Sequence, residues 1–303
     1  MKIIDSQWHE PAPWLDWDVQ DKELRQKVLT EVLLASMDAL GVYGALIFPI
    51  EDSVWSESLA RQYPSRFGSV PMITAASTPG DQSLVVRPDA PDLEEQIAAM
   101  RRRPGVLGVR ILGGFFPEEF TRMKAGGNDR AFAACEKEEL PVYLFICGEP
   151  EMAAAVAEKF PKLSIILDHI ALKAPPLEQP DTPMWKKLPE LLALAKYPNI
   201  SVKLCGAPAL SQQPYPYKDV WPHIRKLVDA FGAERLMWAS DIPRFRGRIG
   251  ASMRVPSTDT GVPGGHTYYE SLGLYRDTDL LTSREKDWIL GDAVRQILRW
   301  PTG

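Results

Sequence analysis

Short apolar runs alternate with longer amphipathic stretches along the chain. Runs at 3–4, 42–48, 67–73, 106–112, 141–146, 163–167, 200–204 and 235–238 read as about eight strands, the third weakened by Pro71. Between them, 23–40, 93–100, 129–139, 151–159, 185–195 and 220–231 carry apolar residues near helical spacing; Leu24, Val28, Val32, Leu33 and Met37 mark the first. A last helix over 284–300 turns Trp288, Ile289, Ala293, Ile297 and Trp300 toward one side and reads as a closing helix. Strand–helix alternation at this spacing argues for parallel βα units. A doubly wound open sheet would place a glycine-rich phosphate loop after its first strand. Here Asp5-Ser6-Gln7-Trp8-His9-Glu10-Pro11 follows, without glycine. The expectation is one (β/α)8 TIM-barrel domain over 1–303, a length that suits that fold. Two segments read as long loops: 171–183, with four prolines, and 244–266, rich in Gly, Pro and Arg. Both follow strands with polar ends, where barrel enzymes carry substrate-binding loops.

Three strand ends carry the candidate chemistry. Ile3-Ile4 runs into the cluster ending at His9, the run at 164–167 meets Asp168-His169, and 235–240 ends on Asp241. A carboxylate or imidazole at the end of a buried strand is costly unless it is used, and barrel strands converge at their C-terminal ends. The plain alternatives are structural histidines bonded to backbone carbonyls and a helix N-cap at Asp241. The cap is disfavoured because Pro243 lies in a Gly/Arg-rich loop rather than opening a helix. His9, His169 and Asp241 together form the candidate catalytic set. An ionised Asp can take a proton from water, and a His can hold that water or a carbonyl oxygen. Such a set suits hydrolysis of an ester, lactone or amide. It equally suits one divalent metal on His9, His169 and Asp241, whose bound water would be the nucleophile.

Cations fall in the same topology. Arg110 and Lys203 lie within strands, and Arg244, Arg246 and Arg248 crowd the loop after Asp241. A buried cation is expensive unless paired, and an anionic substrate would pair it, with Arg gripping a carboxylate through two hydrogen bonds. The loop arginines could instead be solvated. The candidate substrate-binding set is Gln7, Arg110, Lys203, Arg244 and Tyr217, although Tyr217 could equally pack its loop against the rim. Cys205 ends the seventh strand with no evident base beside it, so a nucleophilic thiol is a minor alternative. His223 falls in a helical stretch and reads as structural.

Net charge of -5 and a pI near 5.5 leave no basic surface for nucleic acid. Arg101-Arg102-Arg103 suits a helix C-terminus. Three scattered cysteines argue against a disulfide framework. There is no signal-peptide core, and no apolar run approaches the ~18 residues that span a membrane. The expectation is a cytoplasmic protein acting on a small anionic molecule, without nucleic-acid or membrane partners. A homo-oligomer and a monomer are both compatible with the sequence.

The segments Ile4-Asp5-Ser6-Gln7-Trp8-His9, Gly108-Val109-Arg110, Leu167-Asp168-His169, Val202-Lys203-Leu204-Cys205-Gly206 and Trp238-Ala239-Ser240-Asp241 now allow a comparison. In that order, and over almost the full length, the chain resembles the amidohydrolase superfamily. Within it, the match is to the amidohydrolase-related group of lactonases and nonoxidative decarboxylases, including 2-pyrone-4,6-dicarboxylate lactonase-like TIM-barrel hydrolases. The resemblance implies a metal on a His-x-His pair after strand one, a His after strand five and an Asp after strand eight, with a further His after strand six. His9, His169 and Asp241 match. Gln7 stands at the first His of the pair and Phe145 at the strand-five His. Gln is a poor transition-metal ligand and Phe is none. Some lactonases of the group work without a metal, the strand-eight Asp activating water. The resemblance therefore implies a hydrolase of a small, carboxylated lactone or cyclic ester that needs no cofactor. Asp241 would be its base, His9 and His169 would hold carbonyl or water, and Arg110, Lys203 and Arg244 would hold anionic groups. One alternative is a metal-dependent amidohydrolase or nonoxidative decarboxylase carrying one Zn2+ or Mn2+. Another is a barrel that binds a ligand without catalysis.

Overall fold

The computed structural model describes residues 2–9, 16–17, 21–49, 53–75, 85–114, 117–173, 181–241, 251–252 and 266–300. Eight parallel strands make the barrel: β1 (Ile3–His9), β2 (Val42–Phe48), β3 (Phe67–Ser69, resumed at Met72–Ile73), β4 (Val109–Leu112), β5 (Val142–Phe145), β6 (Ile165–Leu167), β7 (Ile200–Lys203) and β8 (Leu236–Met237). Each pairs with its neighbour in chain order. Pro71 interrupts β3 because it has no N–H to give, yet its carbonyl accepts from Arg110 N at 2.8 Å and the sheet continues. The ring closes between β8 and β1: Ser6 N donates to Trp238 O (3.1 Å) and Asp241 N to Gln7 O (3.0 Å). The architecture is the expected (β/α)8 barrel.

The helices follow from capping and periodicity, with corrections. Lys22–Leu40 starts where Asp21 accepts from Leu24 N at 2.7 Å and stops at Gly41, whose φ of 73° suits the left-handed turn. It buries Leu29, Leu33 and Met37, whereas Leu24, Val28 and Val32 are exposed. Two apolar rows share the same four-residue spacing, so periodicity alone cannot say which faces the barrel. Ser53–Gln62 and Pro117–Lys124 are helices that the periodicity missed, since so few residues hold too few apolar positions. The closing helix is broken: a π turn at Trp288–Asp292 separates Ser283–Asp287 from Ala293–Leu298, and Ile289 O there accepts from Trp238 N. Arg101 and Arg102 do end a helix, Leu93–Arg102. No described helix is long and apolar enough to cross a membrane.

Alternation along the strands separates two cores. Val109, Ile111, Val142, Leu144, Ile165, Leu167 and Val202 pack outward with the helices. Leu46, Phe48, Tyr143, Ile166 and Met237 fill the barrel. By the same parity Arg110 and Lys203 point inward.

Candidate active site

The site begins with β1, which does not end after Ile4 as its apolar start suggests. All seven residues Ile3–His9 are strand and buried. A register irregularity between Asp5 and Trp8 reverses the alternation: Ile4 belongs to the barrel interior, whereas Trp8 packs with the outer core. That bulge turns Gln7 and His9 inward. Asp5 makes the polar string tolerable. Its Oδ1 accepts from Gln7 N (3.1 Å) and Ser240 N (2.9 Å), and its Oδ2 from Trp8 Nε1 (3.0 Å), which ties β1 to the end of β8. Burial among these neutral partners pushes its carboxyl up to about 6.

Across the barrel, Asp168 receives both strand cations. Arg110 Nε donates to its Oδ2 at 2.7 Å, and Lys203 Nζ pairs with its Oδ1. Burial would raise this carboxyl, but Lys203 and then Arg110 outweigh it and hold it at about 2. Arg110 and Lys203 were expected to await a substrate anion. They already have a fixed counter-ion in Asp168. Aromatic rings from β2 and β5 line the cations: Lys203 Nζ lies 4.3 Å from the Phe48 ring centre and 5.0 Å from that of Tyr143, and Arg110 stacks 4.9 Å from Phe145. Phe145 also turns its ring edge-on to His169 at 5.4 Å. Nothing in the apolar run 42–48 marks Phe48 for this role.

Lys203 Nζ also donates to Gln7 Oε1, which fixes the amide, since an ammonium can only donate. The Gln7 nitrogen then faces Asp241 Oδ1, to which it donates, and His9 Nε2 at 2.8 Å. His9 Nδ1 donates to Phe48 O at 2.8 Å, and its Nε2 is 2.9 Å from Asp241 Oδ1. One mobile proton therefore fits between His9 and Asp241. With it, His9 donates to the carboxylate; without it, His9 accepts from Gln7. His169 Nδ1 stands 3.8 Å from Asp241 Oδ2. Both residues sit at positive φ, 50° for His169 and 61° for Asp241, and Ile170 and Ala171 continue at 58° and 52°. Such backbone costs about 1–3 kcal/mol per residue, most for branched Ile170, and here it aims two strand-end side chains at each other.

His9, His169 and Asp241 thus meet, with Gln7, Arg110 and Lys203 around them. Arg244 lies outside the described residues. Tyr217 is buried in the loop after β7, its ring edge-on to Tyr215 and to His266. Cys205 was not expected to have a base near it. Its sulfur lies with His169 and Asp241, the three donor atoms within 4.8 Å of one another. His223 stacks on Trp185 at 4.5 Å, as a structural residue would. A metal at the positions the resemblance implies does not fit these residues. The Gln7 amide nitrogen has no lone pair to give, its oxygen is taken by Lys203, and Phe145 has no donor atom.

The chain belongs to the amidohydrolase family, whose sequence model matches residues 4–299. L-fucono-1,5-lactonase of Burkholderia ambifaria is 37% identical over 101 residues, 32% of this chain and 32% of that protein. 4-Sulfomuconolactone hydrolase of Hydrogenophaga intermedia is 31% identical over 158 residues, 51% of this chain and 49% of that protein. The chain therefore matches a third to a half of the length of these relatives. In fold it is similar over 99% of its length to an amidohydrolase of Burkholderia multivorans solved with bound zinc, covering 100% of that chain at a TM-score of 0.70 and 17% identity.

Proposed function

We propose that this protein hydrolyses a small lactone or related cyclic ester, with Asp241 as the general base. The observation that carries the reading is the setting of Asp241: Oδ1 is held by Gln7 and His9, and Oδ2 faces His169, the oxygen to which we assign the attacking water. Water adds to the carbonyl carbon and gives its proton to Asp241. The ring C–O bond breaks, and the departing alkoxide takes a proton relayed through His9, giving a hydroxy acid. Among the inner polar side chains, His9 and Arg110 keep the most exposure, about a tenth each, and are the groups a substrate meets first. Arg110 spends Nε on Asp168 and Nη2 on His169, and we assign its Nη1 to the carbonyl oxygen, where charge develops. Lys203 acts through Gln7. No resident metal is assigned to this reaction. A carboxylate on the substrate would fall to Arg244. The names of both curated relatives, one acting on a sugar lactone and one on a sulfonated lactone, support the reaction class.

The test is Asp241→Asn against a panel of sugar and carboxylated lactones. The variant should keep the wild-type circular dichroism and lose about 10²–10⁴ in kcat/KM on the lactone turned over best. Retained turnover would remove Asp241 from the role of base.

A further inference from the structure

His169, Cys205 and Asp241 end three successive strands, β6 to β8, and all three side chains are buried. The proposed hydrolysis has no use for the thiol. Tetrahedral zinc, with bonds of about 2.0–2.3 Å, sets its ligands roughly 3.5 Å apart. His169 Nδ1 and Asp241 Oδ2 are already 3.8 Å apart, and the widest separation in the set is 4.8 Å. Closing it takes shifts of about 1 Å or less at each donor.

We propose that His169, Cys205 and Asp241 form a site for a thiophilic divalent cation, Zn2+ foremost, and that its occupation switches the enzyme off by taking Asp241 away from water. The inhibition rests on the lactone reading; the binding does not. The donors choose the cation: thiolate, imidazole and carboxylate together favour Zn2+ over the oxygen-seeking Mg2+ and Ca2+. The site shares His169 and Asp241 with the positions that the family resemblance implies, but Cys205 on β7 takes the place of the ligands that Gln7 and Phe145 do not supply. Binding is balanced by protons. The Cys205 thiol releases its proton to solvent as the S–Zn bond forms. Arg110 Nη2 can only donate and faces His169 Nε2 at 3.5 Å, so the imidazole carries its proton on Nδ1. That proton moves to Nε2 when Nδ1 binds the metal, and the contact is given up while Arg110 keeps Asp168 through Nε. The rearrangement weakens binding relative to a preorganised structural zinc site, as a reversible switch requires.

Co2+ tests the assignment, because a thiolate ligand gives it a near-ultraviolet charge-transfer band that nitrogen and oxygen donors do not. Titration of the purified full-length protein should develop this band to one equivalent, and Zn2+ should displace it. Cys205→Ser should lose the band and weaken Zn2+ by more than the ~10–100-fold that outer partners of a metal command. Cys147→Ser should keep it, since that thiol packs with Met72, Leu112 and Phe145. With a lactone that is turned over, one equivalent of Zn2+ should stop the wild type and a chelator should restore it. Cys205→Ser should resist Zn2+, one equivalent leaving its own metal-free rate unchanged. A wild-type titration without the band overturns the site with no variant needed, and so does a band that survives Cys205→Ser. Activity that rises with bound Zn2+ overturns the switch. Failure to turn over any lactone defeats only the lactone reading, and the cobalt spectrum still decides the site.

Discussion

Asp5 at the β1–β8 seam and Asp168 at the end of β6 are both fully buried, and their carboxyls are driven apart. Asp5 sits at about 6, Asp168 at about 2. Asp5 has its hydrogen bonds, but its donors are neutral: the backbone amides of Gln7 and Ser240, the Trp8 indole and the hydroxyls of Ser240 and Tyr268. Asp168 has two full cations. Neutral dipoles satisfy the geometry of a carboxyl without repaying the desolvation of its charge; cations do repay it. The same barrel therefore contains one carboxyl braced as a structural tie and one fixed as the counter-ion of the site.

Removing a cation should break the contrast most strongly. Lys203→Met leaves Asp168 with one partner and Gln7 without its orienting donor. We expect a loss of about 3–5 kcal/mol in urea unfolding at pH 7, with the acid limb of unfolding moved to higher pH. Next comes the titration of Asp5. Its folded value lies above the ordinary 3.8, so its contribution is fully present below pH 3.8 and is lost as pH rises through about 6, roughly 3 kcal/mol in all. Asp5→Asn should flatten the difference in stability between pH 4 and pH 7, whatever its effect on the absolute melting temperature. Asp168 runs the other way. Its contribution is present above pH 3.8 and is lost as pH falls through about 2, roughly 2 kcal/mol, which acid unfolding of the wild type should show. The smallest effect belongs to the exposed pair of Arg299 with Glu139: Arg299→Ala should change stability by no more than ~1 kcal/mol at any pH.

The barrel was legible because seven of its strands are short apolar runs spaced by amphipathic stretches. β1 was not, since Asp5, Ser6 and Gln7 look like a loop until their partners on β8 are known. His9, His169 and Asp241 could be read as strand-end residues, each closing or following an apolar run. What they touch could not be read, because it depends on the bulge after Asp5 and on positive φ at His169 and Asp241, neither of which has a glycine to announce it. Alternation did hold a signal that Arg110, Tyr143, Phe145 and Lys203 share the interior. In sequence the two cations have no visible partner, and Asp168, far from both along the chain, pairs them. Cys205 read only as a minor nucleophilic alternative with no base beside it, because proximity across β6, β7 and β8 depends on register, which no single run contains.

The seam between β1 and β8 also has a temporal meaning. Gln7 and Asp241 touch across 234 positions of chain. Contacts so distant in sequence carry the full entropy of loop closure and form slowly. During synthesis the first half of the site leaves the ribosome long before its counterpart exists. A nascent chain can pair its early strands while Gln7, His9 and Asp5 still lack Asp241 and Ser240, so the completed centre also certifies that the ring has closed.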